Sequence, residues 1–91
     1  INKSLTFYIM HYFYLIQSIR KSDTIYSGST NDLKKRIKEH NQGSNIWTSS
    51  NGPFKLHYFE TYVCKEDALR RENFFKSGVG KKIKKIILEH F

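Results

Sequence analysis

Charged residues stand on the apolar faces of two predicted helices. Arg36 and His40 continue the helical stripe of Leu33 and Ile37, and Glu72 stands on the apolar face of a later helix. Burial of an unpaired charge costs several kcal/mol, so folds normally avoid it. If both helices pack on one sheet, a cation, an imidazole and a carboxylate could meet near tyrosine side chains. That combination is suited to cleaving a phosphodiester bond.

Tyr14 and Tyr26 supply the phenols, on two predicted strands. Segment 12–16 is rich in aromatic and β-branched residues, the polar run 18–23 is typical of a hairpin turn, and segment 24–28 resumes the strand pattern. The two strands are therefore expected to pair antiparallel, with Tyr14 and Tyr26 in neighbouring positions.

Capping residues indicate where the helix of Arg36 and His40 begins and ends. Thr30 or Asn31 can cap its start, and Gly43 can adopt the left-handed conformation after its last turn. The segment 43–54, with Trp47 in its middle, has the composition of a loop long enough to be a functional arm.

A third strand and two further helices complete the predicted elements. Segment 56–63 alternates as a strand does and carries aromatic residues on both faces, which indicates a central strand. Segment 65–77 is predicted to be a helix whose inner face holds Ala68, Leu69, Glu72 and Phe75. The last helix, 79–91, is expected to turn inward Val79, Ile83, Ile86 and Ile87, and outward Lys81, Lys82, Lys84 and Lys85.

The charge balance points to a polyanionic partner. Sixteen Lys and Arg against eight Asp and Glu give a formal net charge of +8 over 91 residues, which favours nucleic acid first and an anionic membrane second. The apolar stretch 7–16 is much shorter than the roughly 20 residues that span a bilayer. A single cysteine excludes an intrachain disulfide framework and a zinc site built on cysteines. These observations predict a soluble, single-domain, cytoplasmic protein.

The order of the motifs resembles that of one nuclease family. Tyr12-Phe13-Tyr14 and Tyr26-Ser27-Gly28 look like the paired tripeptides that give the GIY-YIG nucleases their name. Segments 29–36 and 38–41, then Glu60, then segment 68–72 follow in the family's order. The similarity covers roughly residues 12 to 88 and is to the compact stand-alone bacterial members, the excinuclease-subunit-like endonucleases.

The resemblance implies an α+β fold in which a three-stranded antiparallel sheet is flanked by about three helices. It also implies an endonuclease that hydrolyses phosphodiester bonds in DNA with one Mg²⁺ or Mn²⁺. The family's catalytic positions fall on Tyr14, Tyr26, Arg36, His40 and Glu72, with Glu72 as the metal ligand. Residues 1–11 would be an extension or the start of the first strand, and residues 12–91 a single nuclease domain.

Three side chains remain candidates for the general base. Tyr26, Tyr14 or His40 could take the proton from the attacking water. A tyrosine with an ordinary pKa near 10 is a poor base at neutral pH, whereas His40 is expected to titrate in that range. Arg36 would neutralise charge that develops on the phosphate, through a planar fork of donors.

Some motif positions depart from the family's pattern. Tyr12 and Ser27 replace a glycine and an isoleucine of the two tripeptides. Segment 79–85 lacks the asparagine that repair-type members carry beyond the glutamate, so substrate binding there is expected to differ or to be weaker.

Simpler interpretations stand beside the catalytic one. Arg36 could pair with Glu39 or Asp32, or Glu72 could pair with Arg36 as a purely structural ion pair. The chain could also be an inactive nucleic-acid-binding module with the same fold. Phosphate contacts are predicted for Lys34, Lys35, Lys38, Lys81 and Lys82.

The expected partner is nucleic acid, with DNA first, and no membrane or small-molecule cofactor is expected. A monomer or weak dimer would cut it in a structure-guided or weakly specific way, in repair or recombination.

Overall fold

The computed structural model of the chain describes residues 9–43 and 45–90. The first strand begins at His11, so the predicted extension over residues 1–11 falls largely on residues 1–8, which lie outside the described residues. In the part of the chain that is described, no helix is long and apolar enough to cross a membrane.

Within the described residues, three strands form one antiparallel sheet, in the order β2-β1-β3. They are β1 (His11–Ser18), β2 (Ile25–Thr30) and β3 (Phe54–Tyr62). The α+β class and the three-stranded antiparallel sheet are confirmed. The prediction that the third strand is central is wrong, because β1 pairs with both of the others.

The burial of β1 explains this arrangement. Its residues 13 to 16 are all buried, which requires cover on both faces, whereas β3 alternates between partly buried and exposed positions along most of its length. An aromatic residue on β3 need not be covered: Phe59 is exposed, and its ring makes a T-shaped contact with the Tyr12 ring at a centroid distance of 6.1 Å.

Four helices lie among the described residues, one more than the sequence predicted. They are α1 (Leu33–Asn41), α2 (Ile46–Asn51), α3 (Lys65–Lys76) and α4 (Gly78–His90). The additional helix, α2, lies in the predicted loop 43–54. Its polar composition suits a loop, but Asn45 and Thr48 use their side chains to cap the helix start reciprocally.

The alternating residues of β1 build two separate cores. On one face, Phe13 and Leu15 pack with Phe75 of α3 and Ile87 of α4, and the rings of Phe13 and Phe75 stack at a centroid distance of 4.7 Å. On the other face, Tyr14 and Ile16 pack with Phe54, and Leu33 and Ile37 of α1 cover this cluster. Helices α1 and α3 therefore lie on opposite faces of the sheet.

The inward face of α4 differs from the predicted one. Val79 and Ile86 are 63% and 53% exposed, while Gly80 and Ile87 are buried and Ile83 is partly buried. The stripe at 80, 83 and 87 faces inward because Gly80 lies directly against the backbone at the end of α3, where a Cβ would collide with a carbonyl. A pattern that counts only apolar side chains does not detect a glycine contact. The predicted inward position of Leu69 on α3 is also wrong, since that side chain is exposed.

Candidate active site

The side chain of Tyr14 lies across the neighbouring strand, over a glycine. It pairs with Gly28, and a Cβ built on Gly28 would come within 2.6 Å of the Tyr14 ring carbon Cζ. The glycine of the second motif therefore makes room for the tyrosine of the first. Tyr26 pairs with Ile16, so the two tyrosines stand two positions apart on the same face, as the sequence predicted.

His40 is held behind the tyrosines. It is fully buried, its Nε2 lies 2.8 Å from the Tyr14 hydroxyl oxygen, and the Tyr26 ring meets it edge-on at a centroid distance of 4.8 Å. The end of its helix is fixed by the next residue, because the side chain of Asn41 bonds both backbone groups of Phe54, at 2.7 and 3.2 Å.

His40 is neutral at physiological pH. Burial, and secondarily the nearby charge of Arg36, lower its pKa to about 4. The expectation that His40 titrates near neutral pH is therefore wrong. Its Nδ1 is buried and has no hydrogen-bond partner among residues 9–43 and 45–90.

The two tyrosines differ in their access to solvent. Burial raises the pKa of Tyr14 to about 12, although Arg36 acts in the opposite direction, so this phenol stays protonated at neutral pH. Tyr26 is only partly buried. Of the three candidate bases, Tyr26 alone retains appreciable contact with solvent.

Arg36 lies at the border of this cluster, on α1. Its guanidinium is partly exposed and makes an ion pair with Glu39, with a nitrogen-oxygen distance of 3.1 Å. This is one of the two local pairings considered from the sequence. Asp32 instead caps the start of the helix by accepting a hydrogen bond from the backbone nitrogen of Lys35, at 3.1 Å. The prediction that Thr30 or Asn31 is the cap is therefore wrong.

Glu72 approaches from the opposite face of the sheet. Its side chain is 17% exposed, the hydroxyl of Ser29 donates to Oε1 at 2.7 Å, and the ammonium of Lys76 donates to Oε2 at 2.7 Å. Its ion-pair partner is thus Lys76 and not Arg36. Since Ser29 follows Gly28 in β2, Glu72 and Tyr14 reach adjacent residues of one strand from its two sides.

The predicted site residues therefore fall into two groups. The larger group lies on the α1 face of the sheet and consists of Tyr14, Tyr26, Arg36 and His40. Glu72 belongs to the α3 face and meets the others at β2.

The predicted phosphate-binding lysines are exposed but lie on opposite sides of the sheet. Lys34, Lys35 and Lys38 are on α1, and Lys81 and Lys82 are on α4. The structure does not bring these two groups together.

Two residues at the site were not assigned a role from the sequence. Lys76 stands four residues after Glu72, the helical spacing that lets a lysine reach a glutamate, so a signal was present. Trp47, whose role the sequence left open, stacks on Phe54 at a centroid distance of 5.7 Å and lies 5.1 Å from the Tyr26 ring. Helix α2, which carries Trp47, is thereby fixed beside the tyrosine cluster.

Glu60 is a second partly buried carboxylate, but its oxygens are occupied. Arg71 donates to both of them, at 2.8 and 3.1 Å, and the hydroxyls of Tyr58 and Tyr62 each donate to one. Burial alone would raise the pKa of Glu60, but these hydrogen bonds outweigh it and hold the pKa below its usual range. With four donors on its two oxygens, this carboxylate has a structural role.

The model of one protein family, described as the GIY-YIG catalytic domain, matches residues 10–86. The chain belongs to the GIY-YIG family. The family assignment gives the chain a nuclease fold and nucleic acid as the class of molecule on which such folds act.

Among proteins similar to this GIY-YIG chain is a UPF0213 protein of Clostridium perfringens, 43% identical over 68 residues, which are 74% of this chain and 71% of the relative. The UPF0213 protein YazA of Bacillus subtilis is 37% identical over 73 residues, which are 79% of this chain and 72% of the relative. A solution NMR structure of a UPF0213 protein from Bacillus halodurans is 33% identical, with a TM-score of 0.47, and the match covers 80% of this chain and 79% of that one.

Proposed function

We propose that this chain is a divalent-metal-dependent endonuclease that hydrolyses phosphodiester bonds in DNA. The observation that carries the proposal is that Tyr14 and Glu72 contact adjacent residues of β2, Gly28 and Ser29. A carboxylate that can hold a metal and a cluster of phenols with an arginine then stand on two sides of one strand. A protein that only binds nucleic acid gains nothing from a largely buried carboxylate, which repels phosphate.

The surroundings of Glu72 suit magnesium, which needs few protein ligands, better than a metal whose ligands all come from the protein. Each of its oxygens accepts one hydrogen bond and has capacity for another contact. Among residues 9–43 and 45–90, no group of three or more His, Cys, Asp or Glu side chains could hold a metal ion. Magnesium keeps several waters and needs only one or two carboxylates. When bound, it would stabilise the leaving oxygen as a Lewis acid.

The side chains on the α1 face are proposed to transfer the proton, position the base and neutralise charge. Tyr26 has solvent access and, in its phenolate form, is the proposed acceptor of the proton from the attacking water. Positive charge from a bound metal would favour that form. Tyr14 and His40 are buried and hydrogen bonded to each other, so their proposed role is to position Tyr26. The guanidinium of Arg36 would give up part of its contact with Glu39 and neutralise charge on the phosphate.

The test is nicking of supercoiled plasmid with Mg²⁺ and with EDTA. Glu72→Gln and Arg36→Ala should each lower the rate by about 100-fold or more, because each removes a charge used in the transition state. Glu89→Gln is the matched control, since Glu89 is an exposed carboxylate at the end of α4 and should leave the rate within about twofold. Circular dichroism would establish that all variants are folded.

Two results would refute the proposal. Cutting that survives EDTA or Glu72→Gln would remove the metal and its ligand from the mechanism. If the wild type binds DNA with a steep salt dependence and cuts no form of DNA or RNA, the chain is instead an inactive nucleic-acid-binding module.

A further inference from the structure

A cleft opens beside the candidate active site, where β2 runs into the turn before α1. Its volume is about 280 Å³, close to the lower end for small-molecule sites. The start of β1 and the first turns of α3 form its other walls. The lining residues are His11, Ser29, Thr30, Asn31, Lys65 and Ala68.

The cleft adjoins Glu72 through two of its lining residues. Ser29, which lines the cleft, donates its hydroxyl hydrogen bond to the Glu72 carboxylate at 2.7 Å. Ala68, which also lines it, stands one helical turn before Glu72 on α3. A strand of nucleic acid that placed one phosphate at Glu72 would therefore place a neighbouring part of its backbone in the cleft.

The side chains that line the cleft are suited to an anion. None of them is acidic, and Lys65, His11 and Asn31 provide an ammonium, an imidazole and an amide. Within the described ranges, none of these three side chains is engaged in a hydrogen bond or an ion pair with another residue. A larger cleft of about 510 Å³ between the β1–β2 turn and α4 is different, since Asp23 and Glu89 line it together with lysines.

Besides Glu72, the carboxylate of Glu66 lies near the cleft and interacts electrostatically with Lys65 and His11. Glu66, in the first turn of α3, is fully exposed and accepts a hydrogen bond from the thiol of Cys64 at 2.8 Å. It does not line the cleft. Solvent therefore screens its charge more than that of a group inside.

We propose that the cleft of His11, Asn31 and Lys65 binds a backbone phosphate next to the one that is cleaved. This inference rests on the proposed function and adds a subsite that fixes the register of the strand against Glu72. Contacts to backbone phosphates position a nucleic acid without reading its sequence. The subsite therefore favours cutting that depends on the path of the strand and not on base identity.

The test is binding of a fluorescently labelled single-stranded DNA oligonucleotide in EDTA, measured by anisotropy over a range of NaCl concentrations. Lys65→Gln is compared with Lys55→Gln. Both lysines are exposed, and both substitutions remove one charge. Lys55, however, lies beside Gln17 at the far end of β1, whereas the cleft lies at the His11 end. Six residues along β1 separate the two ends by about 20 Å.

Lys65→Gln should weaken binding about three- to tenfold near 0.1 M NaCl and lower the salt-dependence slope by about one. Lys55→Gln should change the affinity by less than about twofold. Asn31→Asp, which places a carboxylate in the cleft, should weaken binding at least as much as Lys65→Gln. If Lys65→Gln and Asn31→Asp match Lys55→Gln, the subsite is refuted.

Two further comparisons identify what the cleft binds and separate the two proposals. In ¹H–¹⁵N NMR spectra, the oligonucleotide should shift the Asn31 side-chain amide, and inorganic phosphate at the same concentration should shift it much less. Equal, saturable shifts with inorganic phosphate would mean a free-phosphate site and overturn the backbone assignment. Because binding is measured in EDTA, the result does not depend on whether the protein cuts plasmid. If the protein cuts plasmid but Lys65→Gln does not weaken oligonucleotide binding, only the subsite is refuted.

Discussion

Acid should destabilise the protein through His40, because the folded chain holds this imidazole in its neutral form. The unfolded chain binds a proton at this residue below about pH 6.5, whereas the folded chain does so only below its pKa of about 4. Between these values the unfolded state binds more protons, so the free energy of unfolding falls as the pH falls. Above about pH 6.5, His40 is neutral in both states and the protein keeps this part of its stability in full.

The magnitude follows from the difference between the two pKa values. A shift from 6.5 to about 4, at 1.36 kcal/mol per pKa unit, corresponds to about 3 kcal/mol in total, of which about 2 kcal/mol is lost between pH 7 and pH 4.5. Small domains have unfolding free energies of only about 5 to 15 kcal/mol, so this loss is a large part of the total.

Urea unfolding at pH 7 and pH 4.5, followed by circular dichroism, measures this loss. His40→Gln is the matched variant, because glutamine keeps a polar group for the Tyr14 hydroxyl but does not titrate. The difference between the acid sensitivities of wild type and variant isolates His40 from the carboxylates. Parallel loss of stability in both proteins, or a His40 pKa near 6.5 by NMR, would show that the imidazole is not held neutral by burial.

Three further predictions concern the packing and polar contacts around the site. Gly80→Ala should lower the free energy of unfolding by about 2 to 3 kcal/mol because a Cβ collides with the end of α3, whereas Gly78→Ala has open space and should change it by less than about 1 kcal/mol; thermal melts compare them. Arg71→Leu should cost about 1 to 3 kcal/mol at pH 7 by urea unfolding, and the cost should shrink in acid as Glu60 protonates and no longer needs a cation. Gly28→Ala should cost about 1 to 3 kcal/mol in the same assay by displacing the tyrosine ring above it; an unchanged stability would contradict that packing.

The local features of the fold could be predicted from the sequence. The residue patterns of segments 12–16 and 24–28 correctly predicted β1, β2 and their antiparallel pairing. Gly43 follows α1 with a φ of 73°, in the left-handed conformation predicted for it. The helical stripe correctly placed His40 inside. These features depend on residues that are close in sequence and on a single spacing.

Features that depend on the surroundings of an element could not be predicted in the same way. The central position of β1 follows from cover on both its faces, which the unbroken apolar run 13–16 indicates better than the aromatic residues of β3 do. The neutral state of His40 depends on its enclosure by Tyr14, Tyr26 and Phe54, which come from three different strands. The approach of Glu72 from the opposite face depends on the docking of α3 by Phe75.

The division of β1 between two cores limits how this site can change during evolution. Phe13 anchors the helix that carries Glu72, and the next residue, Tyr14, contacts the helix that carries Arg36 and His40. Inserting or deleting one residue in β1 would exchange the two faces of every position beyond it. Both halves of the site would be lost in a single step, so length variation among relatives with a working site should fall in the turns and helices and not in this strand.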